Sequence, residues 1–131
     1  MTLKISVIGA GAWGTAIANL VAKNDYPTLV LTNEEEAVAE INQFKTNNKY
    51  LPDIALSPNL TAGHNIDEED VADCDFIFIV TPSQTVKGIL RQISKYKLKD
   101  NLGFVICSKG LDQENLEFFS ETFLRIMPDR K

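Results

Sequence analysis

The sequence predicts an α/β fold in which a doubly wound, mainly parallel sheet is covered by helices on both faces. Short apolar, β-branched runs recur along the chain, amphipathic helical stretches separate them, and the first strand-to-helix junction is rich in glycine. At 131 residues the chain has the size of one ordinary domain, able to bury roughly two thirds of its unfolded surface. No internal repeat, low-complexity tract or Gly/Ser linker divides it, so 1–131 is read as a single domain.

Leu3 to Ile8 is the first expected strand, and Ala12 to Lys23 the first helix, with Ile17, Leu20 and Val21 at helical spacing and Asn24, Asp25 and Pro27 as breakers. Thr28 to Leu31 completes a βαβ unit. Glu35 to Phe44 reads as a second helix with Val38, Ile41 and Phe44 on one face. Thr46 to Ser57 holds turn residues and scattered apolar ones, the pattern of an excursion loop. Leu60 to Ala62 is a short third strand. Glu68 to Ala72 is a short helix whose acidic start suits the positive end of its dipole. Asp75 to Thr81 and Gly103 to Cys107 are the fourth and fifth strands. Between them, Ser83 to Ile93 carries Val86, Ile89, Leu90 and Ile93 at helical spacing. Leu116, Phe119, Phe123 and Ile126 repeat that spacing in a last helix ended by Pro128. A sheet of order 3-2-1-4-5-6 would still need its final strand. The chain is therefore expected to be the front part of a larger protein, truncated before that strand.

Hydrophobic residues at 44% and charged residues at 24% match a soluble globular protein. No apolar run is long enough to span a membrane, and Met1-Thr2-Leu3-Lys4 leads into a strand without the features of a secretory signal. The cytoplasm is the expected compartment. A formal charge of −5 opposes the counterion release on which nucleic-acid binding depends. Cys74 and Cys107 each adjoin apolar residues and read as buried, reduced, unreactive thiols. One His and two distant Cys make no metal site. His64 falls in a polar loop and reads as a surface residue. Ser83 lacks a G-x-S-x-G setting, which excludes a hydrolase nucleophile.

Chemistry concentrates at Gly9-Ala10-Gly11-Ala12-Trp13-Gly14. This G-x-G-x-x-G directly follows a strand, opens a helix and precedes a second strand at the distance of a Rossmann-type dinucleotide-binding unit. Gly9 suits the tight turn, Gly11 a close approach of backbone to pyrophosphate, and Gly14 close packing of helix on strand. The helix N-terminus offers N–H groups and partial positive charge to the phosphates. The absence of Gly-Lys-Ser or Gly-Lys-Thr argues against a P-loop. The second strand leads into Asn33-Glu34-Glu35-Glu36, where an acidic or amide side chain can meet the adenosine ribose. These glutamates oppose the extra phosphate of NADP, which favours NAD with NADP as the alternative.

The blocks Val7 to Ala16, Ile41-Asn42 with Tyr50-Leu51-Pro52, Thr81-Pro82-Ser83-Gln84, and Ser108-Lys109-Gly110-Leu111 together resemble NAD(P)-dependent glycerol-3-phosphate dehydrogenase over nearly the whole chain. The resemblance implies hydride transfer between NAD(P)H and dihydroxyacetone phosphate or sn-glycerol 3-phosphate, supplying the latter for phospholipid synthesis. It places Ala12 and Trp13 against the pyrophosphate, Asn33 near the adenosine and Tyr50 in a contacting loop. Pro82 fixes a turn beside the nicotinamide. The resemblance implies that Lys109 contacts substrate and cofactor, where a cation can stabilise the substrate phosphate or the developing oxyanion. The family usually has Ser or another small residue at the position of Ala12 and often a basic one at that of Asn33. The resemblance further implies a helical second domain carrying the proton-transferring lysine, a homodimer in the full-length protein, and little turnover by this chain alone. Two other readings share the glycine turn: a ketopantoate reductase or nucleotide-sugar dehydrogenase, and a non-catalytic dinucleotide-binding module. Tyr50-Leu51-Pro52 and Ser108-Lys109-Gly110 argue against the first.

Overall fold

A computed structural model describes residues 3–107, together with the backbone of two short strands at 111–112 and 117–118. The elements run β1 (Ile5–Ile8), α1 (Ala12–Lys23), β2 (Thr28–Thr32), α2 (Glu35–Phe44), β3 (Leu60–His64), α3 (Glu68–Val71), β4 (Phe76–Ile79), α4 (Ser83–Ser94), β5 (Gly103–Ile106), β6 (Leu111–Asp112) and β7 (Glu117–Phe118). Strands β1 to β5 form one parallel sheet of order β3-β2-β1-β4-β5, and β6 and β7 a separate antiparallel pair. The expected doubly wound α/β fold is therefore present.

β1 is the central strand and is buried at every residue, as a strand covered on both faces must be. Its side chains alternate between two cores. Ile5 and Val7 join Val30, Leu60, Ala18, Ala22 and Ile41 under α1 and α2. Ile8 joins Leu31, Ile77, Ile79, Val86, Leu90 and Ile93 under α4. Register is aligned at the carboxyl ends, where Ile8 pairs with both Leu31 and Ile79. The chain order reverses beside β1, so the crevice above these ends is the topological switch point where open α/β sheets bind ligands.

The free side of β3 is met by Asn42 of α2. Its Nδ2 donates to the Ala62 carbonyl at 3.0 Å, and its Oδ1 accepts from the Ala62 N–H at 2.8 Å. In α3, Asp67 and Asp70 form a reciprocal capping box, so the acidic start satisfies the helix end.

Several expectations are corrected. On α1 the sheet-facing residues are Gly14, Thr15, Ala18, Asn19 and Ala22, whereas Leu20 is 65% exposed. A helix starting directly at the glycine turn lies too close to the sheet for large side chains. On α2 the buried residues are Ala37 and Ile41, while Phe44 is 71% exposed because Lys45 turns the chain away in a left-handed conformation, φ 53°. β3 extends through His64, which is a strand end rather than a loop residue, though still exposed. Cys74 is buried but Cys107 is exposed just beyond β5. Desolvation raises both thiol pKa values, which keeps them protonated at neutral pH. Glu117–Phe118 pairs as a strand where a helix containing Leu116 was expected. The remainder of that helix, with Phe119, Phe123 and Ile126, lies outside the described residues.

Candidate functional site

The turn after β1 gives each glycine a distinct situation. Gly9 adopts φ +112°, and a β-carbon there would come within 2.9 Å of the Val80 carbonyl carbon. Its N–H donates to Leu31 O at 2.8 Å, which ties the turn to β2. At Gly14 a β-carbon would overlap the Gly9 carbonyl oxygen, so the first turn of α1 rests on the backbone of the loop that precedes it. Gly11 differs from both. Its φ of −72° and ψ of −169° are open to any residue, and among the described residues a β-carbon would meet no atom within 4 Å beyond its chain neighbours. Among the described residues no packing contact requires a glycine here. Glycine is a favourable helix N-cap, and its missing β-carbon leaves the backbone open to a ligand.

Above the turn is a cleft of about 830 Å³, of the size that holds a small molecule or cofactor. Gly9, Gly11, Asn33, Tyr50 and Pro82 all line it, drawn from the ends of β1, β2 and β4 and from the loop before β3. Gly14 lies beneath the wall. Ala12 and Trp13 stand at the exposed start of α1, Trp13 at 78% exposure, outside the cleft lining. Lys109 lies outside the described residues. Among the described residues the N–H groups of Gly11, Ala12 and Trp13 have no protein acceptor. An unmatched helix N-terminus opening on a cleft suits an anion such as pyrophosphate. The residues present therefore fit a dinucleotide.

Glu34, next to Asn33, lines the same cleft. Lys49 Nζ and the Tyr50 hydroxyl both donate to its Oε1 at 2.9 Å. The Lys49 ammonium, then the Tyr50 hydroxyl, hold the Glu34 pKa below its ordinary value, and Glu34 in turn raises that of Lys49. Lys49 also sits 5.1 Å from the Tyr50 ring centroid. At neutral pH this end of the cleft thus carries an ionised carboxylate with one oxygen already engaged.

Sequence reasoning did not find Lys49, nor the wall supplied by α4. There the Gln92 amide and the Tyr96 hydroxyl donate to the Ile66 carbonyl at 2.9 and 2.8 Å, closing the cleft between α4 and the loop after β3. Gln92 and Tyr96 lie four residues apart on and just beyond α4, but polar residues at helical spacing ordinarily mark a solvated face. Among the described residues no group of three or more His, Cys, Asp or Glu could hold a metal ion. No described helix is long and apolar enough to cross a membrane.

A parallel sheet with a glycine turn at its switch point, and helix N–H groups unmatched beneath a cleft, defines the class of Rossmann-type dinucleotide-binding domains. Comparison with known proteins narrows that class. Residues 4–131 match the family model described as NAD-dependent glycerol-3-phosphate dehydrogenase N-terminus, and the chain belongs to this family. It is 41% identical over 119 residues to a glycerol-3-phosphate dehydrogenase (NAD(P)+) of Orientia tsutsugamushi, an alignment covering 91% of this chain and 36% of that protein. Among solved structures, glycerol-3-phosphate dehydrogenase from Coxiella burnetii superposes with a TM-score of 0.82 at 25% identity, over 96% of this chain and 38% of the other. That of Plasmodium falciparum gives 0.82 at 27%, over 95% and 38%. The chain thus spans little more than a third of the length of these relatives.

Proposed function

We propose that this chain is the cofactor-binding part of an oxidoreductase that interconverts dihydroxyacetone phosphate and sn-glycerol 3-phosphate, with NAD preferred over NADP. The observation that carries the cofactor reading is Gly11, whose bare backbone lines the cleft at the mouth of a helix whose first N–H groups are unmatched among the described residues. The substrate reading comes from the family and from the relatives' names. The preference for NAD comes from Glu34, whose ionised carboxylate on the cleft wall repels a second anionic group at the ribose.

In this reading the turn from Gly9 to Gly14 holds the pyrophosphate, Asn33 and Glu34 meet the ribose, and Tyr50 closes the adenosine end. Pro82 sets the turn beside the nicotinamide. The nicotinamide, when bound, donates or accepts the hydride. Lys109 follows β5 in the chain, and its cation stabilises the substrate phosphate or the oxygen that becomes negative as the carbonyl is reduced. The proton-transferring lysine and the remaining phosphate ligands belong to residues outside this chain. The whole protein is then a cytoplasmic homodimer whose product feeds phospholipid synthesis, while the chain alone binds cofactor and turns over little.

The test is steady-state reduction of dihydroxyacetone phosphate and of ketopantoate by the complete protein, each with NADH and NADPH. Turnover of dihydroxyacetone phosphate with NADH at the higher kcat/KM is expected. Activity confined to ketopantoate would overturn the substrate, and equal affinity for the two cofactors would overturn the preference.

A further inference from the structure

We propose that Asn47 is a positioning residue for the cofactor. With the Thr15 hydroxyl, its buried amide holds the Ala10 carbonyl inward and so aims the Gly11 N–H at the pyrophosphate. The inference rests on the cofactor reading above.

Asn47 lies in the loop between α2 and β3 and is 1% exposed. Its Nδ2 donates to Ala10 O at 3.0 Å and to Thr15 Oγ1 at 2.8 Å. Thr15 Oγ1 donates to the same Ala10 oxygen at 3.1 Å. The protons in this cluster have one consistent arrangement. A carbonyl oxygen can only accept, and the single Thr15 proton is directed to it, so Thr15 must accept from Asn47. The amide therefore turns its nitrogen to both partners, which leaves Oδ1 buried with no hydrogen-bond partner among the described residues. A buried acceptor without a partner is destabilising. An apolar side chain would avoid that penalty, so the asparagine is better explained by what its two N–H groups hold than by stability.

What they hold is a peptide plane. Among the described residues every peptide bond is trans, and in a trans peptide the C=O of one residue and the N–H of the next point to opposite sides. Fixing Ala10 O against the buried Asn47 and Thr15 side chains turns the Gly11 N–H the other way, towards the cleft that Gly11 lines. Two donors on one carbonyl leave the plane little freedom to rotate, which sets the direction of this N–H before any ligand arrives. The loop that carries Tyr50 to the ribose end thus also orients the phosphate end, from three residues earlier.

The test compares ADP-ribose, which carries the pyrophosphate, with adenosine, which does not. Protein-observed NMR titrations would follow the wild type, N47A, and T15V, which keeps Asn47 but removes one donor to Ala10. In each variant, affinity for ADP-ribose is expected to fall by about tenfold, the effect of losing one well-aimed hydrogen bond to an anion, while adenosine changes by less than about twofold. An equal fall for both ligands, or unchanged ADP-ribose affinity in a folded variant, would overturn the proposal. If N47A does not fold, T15V decides by the same criterion. A wild type that binds ADP-ribose no better than adenosine would overturn the cofactor reading itself, and this inference with it.

Discussion

The Tyr50 hydroxyl and Lys49 Nζ converge on one oxygen of Glu34, each at 2.9 Å, and so bind the loop before β3 to the end of β2. Both contacts favour the carboxylate, the lysine more strongly. Glu34→Gln removes this negative charge with little change of shape. NADPH affinity should then rise by roughly threefold relative to NADH. Because the Glu34 pKa is lowered, discrimination against NADPH should be present at neutral pH and should be lost only as pH falls through that lowered value. Parallel fluorescence titrations with the two reduced cofactors check both statements, and an identical response of the two would exclude Glu34 as the discriminating group.

The two glycines that flank Ala12 and Trp13 should respond oppositely to the same added methyl group. Gly14→Ala forces a β-carbon into the Gly9 carbonyl and should cost about 3 kcal/mol or more in stability. Gly11→Ala meets open space. It should cost about 1 kcal/mol or less, the difference between glycine and alanine at a helix N-cap, yet weaken NADH binding by about tenfold or more. Urea midpoints together with calorimetric affinities separate the effects. A Gly11→Ala protein that binds NADH normally would remove the main support for a ligand at the turn.

Asp75 accepts from the backbone N–H of Lys4 at 2.8 Å and is paired with Lys99, linking the start of β1 to the segment before β5. Lys99, then the Lys4 N–H, lowers the Asp75 pKa. A carboxylate with a depressed folded-state pKa stabilises above its unfolded value, here near 3.8, and loses that contribution as pH falls through the folded one. Asp75→Asn should therefore lower the urea midpoint at pH 7, and the gap from wild type should close under acid. A gap that persists unchanged below pH 3 would contradict the assignment.

The strands were legible because a parallel strand covered on both faces reads as a mostly apolar run, as Ile5 to Ile8 does with Ser6 alone interrupting it, and Phe76 to Ile79 is apolar throughout although Phe76 is exposed. The glycine turn was legible from its setting between strand and helix. The buried face of α1 was not, since periodicity weights large side chains, and close approach to the sheet selects Ala18 and Ala22 while leaving Leu20 outside. Nor was the Glu34, Lys49 and Tyr50 cluster, whose members meet only because the loop after α2 folds back over the sheet. Asn47 and Asn48 are adjacent asparagines among turn residues, and nothing local distinguishes the buried one from the exposed one.

Asn42 has a consequence for how copies of this domain meet one another. The outer strand of a sheet offers unpaired backbone groups on which a further chain can crystallise its own strand, and this is a common beginning of fibrous aggregates. At Ala62 both groups are already occupied by a side chain that imitates a neighbouring strand. The amide acts as a stopper in the middle of the five-residue β3, so recruitment of a second copy along this border would first have to evict it.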